Sequence, residues 1–460
     1  MSVQTQISRI TDAVGAAYDA VTAKGGTTPQ AETVAGLADA IGTIPTGGSS
    51  APGAPGDITF YDYDGTIVTS WTLSELATKT ALPDYPSHEG LTCQGWNWSL
   101  ADLKTTNRKM NVGVMYITDD GKTRIYIHLE EGRTSPMLGV CPNGTVTVDW
   151  GDGTTPDTLT GTSTSTVKWT PNHAYAAPGD YVIKLTVVGE MGFYIETEDY
   201  KLGGLLCGAK ASKSNLPYRG SIKKIEIGSG VTSFADAAFY RCYNLASITI
   251  PNSIGDIGES AFTFCSALAS LTLPSGITTV RGICSDCGSL VSVAMPNGAT
   301  SIERYAFQRC YSLKSITFPD SVATIGSGIF SNDNSLESFV MPKSTTTVPS
   351  FMFTACIGLR RVTIPNGATR IGAYVSQNCA AMSSIKLPGS IESIDNNAFY
   401  GCPGISFYDF SDHTFVPTLA GTTAFYNKAK DLEIRVPAAL VDEWKAATNW
   451  ATYADQIVGV

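Results

Sequence analysis

The chain has 460 residues, 43% hydrophobic and 16% charged, with 45 glycines, 20 tyrosines and 11 cysteines. That length exceeds what one hydrophobic core serves and predicts several units. A formal charge of −10 and an isoelectric point near 5.0 exclude a nucleic-acid binder, since phosphate neutralisation needs clustered Lys and Arg, and no apolar run is long enough for membrane insertion.

Residues 1–44 read as helix. Val3, Ile7, Ile10, Val14, Ala17 and Val21 are spaced alternately four and three apart, an a/d heptad seam. Lys24, Gly25 and Gly26 end it, and Val34, Leu37, Ala38 and Ile41 form a second short pattern. Three heptads are marginal alone, so the segment predicts an oligomerisation or attachment helix, with a hairpin packed on its own chain as the alternative. The first residues show neither a basic start nor an apolar stretch, so no signal peptide is expected and folding in a cytoplasm is. Residues 45–56 are a linker by their Gly, Ser and Pro content.

Residues 57–140 read as a mixed β module. Ile58–Tyr63 and Thr66–Trp71 flank Asp64 and Gly65, and Val112–Thr118 and Arg124–Leu129 flank Asp119, Asp120 and Gly121; each set predicts a hairpin. Between them, Trp96 and Trp98 share one side of a strand if extended. Exposed, the pair would stack on sugars; buried, it would close a small core.

Over Tyr181–Val187, apolar and polar residues alternate, predicting a strand with one buried face. The run W-G-D-G-T at 150–154, H-A-Y at 173–175 and P-G-D-Y-V-I-K-L-T-V at 178–187 resembles the polycystic-kidney-disease (PKD) type immunoglobulin-like domain. The resemblance implies a small β-sandwich over 141–200 used as a spacer or binding module. Asp149 and Asp152 have the chemistry to touch calcium, but a turn-stabilising role at Asp152 and Gly153 is the simpler expectation. Residues 201–219 are a connector.

From Pro251 a proline recurs every 23 residues with one step of 22: Pro274, Pro296, Pro319, Pro342, Pro365 and Pro388. Cys242, Cys265, Cys287, Cys310, Cys356, Cys379 and Cys402 keep the same beat, with Asp333 in the missing place. Such a period marks a solenoid whose coils cover one another's apolar faces. Each coil carries an aromatic (Phe239, Phe262, Phe307, Phe330, Phe353, Phe399), the cysteine three later, Leu or Met three later, then a strand and Pro. Stacked coils hold equivalent cysteines in parallel, poor geometry for disulfides, so a reduced ladder is expected. Burying Asp333 is costly, so an outward bulge is expected there. The repeat is similar to the BspA-like leucine-rich repeat family over about 200 residues. Leu432–Pro437 and Ala438–Trp450 read as a last strand and an amphipathic helix, with Trp444 and Trp450 covering the open end.

The expected fold class is therefore multidomain and mainly β. It comprises an N-terminal α-helical segment (1–44), a linker (45–56), the mixed β module (57–140), an Ig-like β-sandwich (141–200), the connector (201–219), the leucine-rich repeat solenoid (220–430) and a helical C-terminal cap (431–460). The run D-Y-D-G-T at 62–66 is similar to the nucleophile motif of haloacid-dehalogenase-type phosphatases, but too little chain follows it for that fold. His88, His128, His173 and His413 are scattered, and neither G-x-S-x-G nor H-E-x-x-H occurs. We expect no enzyme, cofactor or metal.

Solvent-facing strand positions Thr249, Thr272, Ala294, Thr317, Val340, Thr363 and Lys386 predict a flat strip for contact, and Tyr240, Tyr243, Tyr305, Tyr311, Tyr374 and Tyr400 offer exposed rings. The stretch Lys24–Ile44 is similar to the N-terminal portion of many phage tail-associated proteins, and Phe60–Leu129 to modules in structural proteins of gut-bacterial phages. These resemblances imply a bacteriophage virion protein (tail fibre, baseplate or head fibre), assembled in the host cytoplasm. Residues 1–44 would join other virion proteins as a homotrimer, and the solenoid would bind a host cell-surface glycan or protein. The alternatives are a bacterial cell-surface BspA-like adhesin and a non-adhesive virion decoration protein.

Overall fold

The computed structural model describes residues 57–106, 108–193, 206–207, 218 and 220–460. The seam of Val3, Ile7, Ile10, Val14, Ala17 and Val21 and the linker lie outside the described residues. The description that follows concerns the unit Asp57–Val460.

Its first part is a four-stranded sheet in the order β2-β1-β4-β3, from β1 (Ile58–Tyr61), β2 (Ile67–Trp71), β3 (Leu91–Trp96) and β4 (Met110–Thr118). The turn expected at Asp64 and Gly65 joins β1 to β2: the Asp64 carboxylate accepts the Thr66 N–H at 2.9 Å, and Gly65 takes φ +92. Helix α1 (Leu73–Thr78) opens on a capping box between Thr72 and Glu75, and α2 (Leu100–Thr106) follows β3. Both helices pack on the sheet around Phe60, whose ring meets Trp71 edge-on at 4.6 Å and Trp96 at 5.0 Å. Trp96 and Trp98 are 7% and 2% exposed. They are core, and the sugar-stacking expectation for this pair is withdrawn.

No hairpin forms at Asp119–Gly121. β4 pairs with β1 and β3, whereas β5 (Thr123–Leu129) pairs with other strands altogether. The reason is where the apolar sides go: Val112, Val114 and Tyr116 feed the first core, while Ile125, Ile127 and Leu129 feed a second. Gly121, at φ +70, turns the chain between them.

β5 lies between β9 (Gly179–Phe193) and β11 (Ile222–Glu226), antiparallel to both. β6 (Met137–Asp149) flanks β9 and carries β7 (Asp157–Thr162), β8 (Lys168–Trp169) and β10 (Leu206–Cys207). The residues of the W-G-D-G-T and H-A-Y motifs meet: Trp150 stacks on His173 at 4.5 Å, His173 Nε2 lies 2.7 Å from an Asp152 oxygen, and the Tyr175 hydroxyl donates to the Trp150 carbonyl. Asp152 also accepts from Thr154, and Asp149 from the Gly151 N–H, so both carboxylates stabilise the turn.

The second sheet runs on into the repeats. β11, one repeat earlier in the solenoid, pairs in parallel with β13 (Ser247–Ile248), while β12 (Val231–Phe234) joins the end of β9 to β14 (Asp256–Ile257). The apolar end of the first coil is thereby covered by sheet. Beyond it, in-register parallel pairs recur on both sides of the stack, for example Ser270–Thr272 on Ser292–Ala294 and Arg370–Ile371 on Ser393–Ile394. Inside, the phenylalanines stack coil on coil, as in Phe330 on Phe353 at 5.9 Å.

Cys93, Cys141 and the cysteines from Cys242 to Cys402 are free thiols. Six ladder thiols donate to the carbonyl 25 or 26 residues earlier: Cys265 to Phe239, Cys287 to Phe262, Cys310 to Cys284, Cys356 to Phe330, Cys379 to Phe353 and Cys402 to Ser376, at 2.8–3.2 Å. Burial holds the thiols of Cys265, Cys310, Cys356 and Cys379 well above their usual pKa. Asp333 does not bulge outward. It is fully buried in the ladder position, where one carboxyl oxygen accepts the Cys310 N–H at 2.7 Å and the other has no partner. Burial pushes its pKa well above the ordinary carboxylate range, in favour of the neutral acid.

At the far end, α3 (Val441–Ala446) brings Trp444 against Trp450 at 4.6 Å, both fully buried, and Ile457–Gly459 pairs with Glu433–Val436. The expected cap is present, with one extra strand.

Candidate binding surface

The long side of each coil carries the strip expected to meet solvent. Because side chains alternate along a strand, Ile248, Leu271, Val293, Phe339, Val362 and Ile385 point into the core, and the residue after each points outward. What those outward residues meet changes along the solenoid.

Over the first coils the strip is occupied by this chain's own first sheet. Thr249 is buried, its hydroxyl accepting the Ile227 N–H at 2.9 Å. Thr272 faces β4 at Gly113, where an added Cβ would stand 2.0 Å from the threonine oxygen. The side-chain amide of Asn97 donates toward the carbonyls of Leu273, Ala294 and Met295 at 3.2–3.4 Å, while its oxygen accepts the Gly113 N–H. Trp98 Nε1 donates to the Met295 carbonyl at 2.8 Å, the Ser270 hydroxyl to the Tyr63 carbonyl at 2.9 Å, and the Asn252 N–H to Gln94. Ala294 is buried as well. Arg108 closes the interface: its guanidinium pairs with Asp320 and reaches the Val340 carbonyl at 3.3 Å. Thr249 and Thr272 are therefore removed from the candidate surface, and Thr317, next in line, is half-buried.

The strip opens at Val340, which is 50% exposed, and continues through Thr363 and Lys386. Around Thr363 and Lys386 lies a concavity of about 450 Å³ lined also by Arg361, Asn366, Ser384 and Asp412. Lys386 Nζ stands 2.8 Å from an Asp412 oxygen, and that hydrogen bond raises the lysine pKa. Farther on, the Arg435 guanidinium lies 3.8 Å over the Phe407 ring and is held by Glu433. A mixed-charge row with donors and acceptors open on adjacent coils can be read by an extended polar partner along its length.

Tyr243 and Tyr311 are 40% and 46% exposed. They stand three coils apart, roughly 14 Å at the spacing of neighbouring strands, and form no common pocket. Sequence reasoning missed Arg361, Asn366 and Asp412, which come from the strand edge and the turns after it. Nothing in one coil says that Asp412, one coil on, will meet Lys386.

Among the described residues, no helix is long and apolar enough to cross a membrane. No curated protein sequence matches the chain. A family model for the BspA type leucine rich repeat region, in six copies, matches residues 217–284 and 281–406. Similar solved structures include a leucine-rich repeat protein from Bacteroides ovatus, at 21% identity over 55% of this chain and 82% of that one, with a TM-score of 0.32. A leucine rich cell surface protein from Faecalibacterium prausnitzii is 21% identical over 50% of this chain and 81% of its own, at 0.27. The T. pallidum leucine rich repeat protein is 24% identical over 45% and 75%, at 0.26. With the coil geometry above, the match makes residues 217–406 a leucine-rich repeat region of the BspA type.

Proposed function

We propose that the protein is a non-enzymatic surface-recognition protein of the BspA-like adhesin kind, which binds a cell-surface or extracellular partner through the strip at Val340, Thr363 and Lys386. One observation carries this reading. In a repeat region of this family, the chain's own first sheet covers the strip as far as Arg108 and leaves the later coils open and polar. The family match supports the adhesin arrangement better than the virion arrangement expected from the N-terminal resemblances. In this reading residues 141–193 act as a PKD-type spacer that also seats the solenoid's first coil.

The test is binding of the full chain to epithelial cells, to extracellular-matrix proteins and to intact bacterial cells, with Lys386→Glu and Thr363→Trp as strip variants. Both positions are exposed, so melting temperatures should not move, while binding should fall at least tenfold. Unchanged binding by both variants would refute the strip as the contact surface. The heptad pattern at Val3–Val21 favours a second reading, in which the same surface is displayed by a trimeric virion fibre. Light scattering separates the two: a trimeric full chain and a monomeric chain starting at Asp57 support the fibre, and two monomers remove its physical basis.

A further inference from the structure

On another side of the coils, between each short strand and the following long one, the backbone makes a turn with two left-handed residues four apart. The first of each pair is, in successive coils, Ala237, Ser260, Gly282, Tyr305, Gly328, Phe351, Tyr374 and Asn397, at φ between 26 and 68. This conformation costs glycine nothing, asparagine little and bulky side chains most. Glycine at two of these places shows that the turn itself asks for no ring. A tyrosine at Tyr305, φ +57 and 44% exposed, carries a local backbone cost that glycine at the same place avoids.

Where Ser260 and Gly282 stand side by side, the absence of large side chains leaves a pocket of about 310 Å³. Tyr240 and Phe264, edge to face at 5.7 Å, wall one side under the Arg241 guanidinium. Tyr305 walls the other, its ring resting against Gly328, where an added Cβ would lie 2.6 Å from it. The polar lining is Glu259, Asp286, Arg304 and Gln308. Its charges are balanced internally: Arg304 lies 4.0 Å from Glu259, and Asp286 is held by Arg309 at 3.5 Å and by the Ser285 hydroxyl at 2.8 Å. Thr263 also lines the pocket; it is 6% exposed and its hydroxyl has no hydrogen-bond partner among the described residues.

We propose that this pocket binds a single neutral pyranose residue of a glycan. Aromatic walls suit the C–H faces of a sugar ring, and carboxylate, amide, guanidinium and hydroxyl groups suit its ring of hydroxyls. The internal pairing of the charges favours a neutral sugar over a sialic or uronic acid. The volume lies at the small end of ligand sites and fits one ring rather than an extended chain. The inference rests on the reading of the solenoid as a recognition scaffold, but its site is separate from the Val340–Lys386 strip.

Saturation-transfer NMR on the full chain, with the methyl glycosides of glucose, galactose, mannose, rhamnose and N-acetylglucosamine, tests it. At least one glycoside should give a signal, and Tyr305→Gly should weaken its binding at least tenfold without lowering the melting temperature, since Gly282 and Gly328 hold the equivalent place. Glu259→Gln, at an exposed side chain, should weaken binding as well, and Lys386→Glu should leave it unchanged. No signal from any of the five sugars overturns the proposal, as does binding indifferent to both Tyr305→Gly and Glu259→Gln. Loss of the signal in Lys386→Glu would move the sugar to the strip, overturning the pocket while leaving the recognition reading standing.

Discussion

Asp333 offers a direct measurement of how a side chain is held inside the ladder. Replacing it by cysteine restores the repeat: the new thiol would accept the Cys310 N–H and donate to the Phe307 carbonyl, as Cys356 does to Phe330. At low pH the gain comes from removing one buried oxygen without a partner, worth about 1–3 kcal/mol. The pH dependence is larger. Burial raises the pKa of the native carboxyl, whereas the unfolded carboxyl ionises near the ordinary value of about 4. Unfolding then releases a proton, so raising the pH favours the unfolded chain by about 1.4 kcal/mol per unit, from near the unfolded pKa up to the native one. The stability that the neutral acid contributes is complete in acid and is lost as the pH rises. Denaturant unfolding of wild type and Asp333→Cys at pH 4, 5, 6 and 7 should show a difference that widens as the pH rises above the unfolded pKa. A constant difference would mean that Asp333 is ionised in the native state or reaches water, and the buried-acid account would fall.

The docking of the first sheet depends on a glycine: Gly113→Ala places a methyl against Thr272 and should cost about 1–3 kcal/mol by overpacking, which Thr272→Gly should largely cancel in a double-mutant cycle. Native-state alkylation at pH 8, mapped by mass spectrometry, should modify Cys93, which is partly exposed, and spare the buried ladder cysteines; rapid modification of Cys356 or Cys379 would contradict their burial. Trp444→Ala should cost about 3–5 kcal/mol and raise hydrogen exchange first at Phe407–Asp409 and Glu433–Val436, the strands nearest the cap.

The repeat could be read without coordinates because a solenoid is a local code. A proline every 23 residues stops a strand, an apolar pair fills the inside of one coil, and the next coil repeats both, so period and composition determine the stack. The same locality made the cysteine ladder and the tryptophan cap legible. Other features depend on partners distant in the chain, and no period announces them. Thr272 looks like any exposed strand threonine until β4 lies on it, more than a hundred residues away in sequence. Trp96 and Trp98 show aromatic character but not burial, because burial is decided by Phe60 and by the Met295 carbonyl. Asp333 was expected to leave the core from its charge alone; the structure keeps it, with a carboxyl oxygen accepting the Cys310 N–H that a cysteine would accept. Which half of the strip stays open, and where two small residues leave a pocket between aromatic walls, are consequences of packing between elements, and only the tertiary structure decides them.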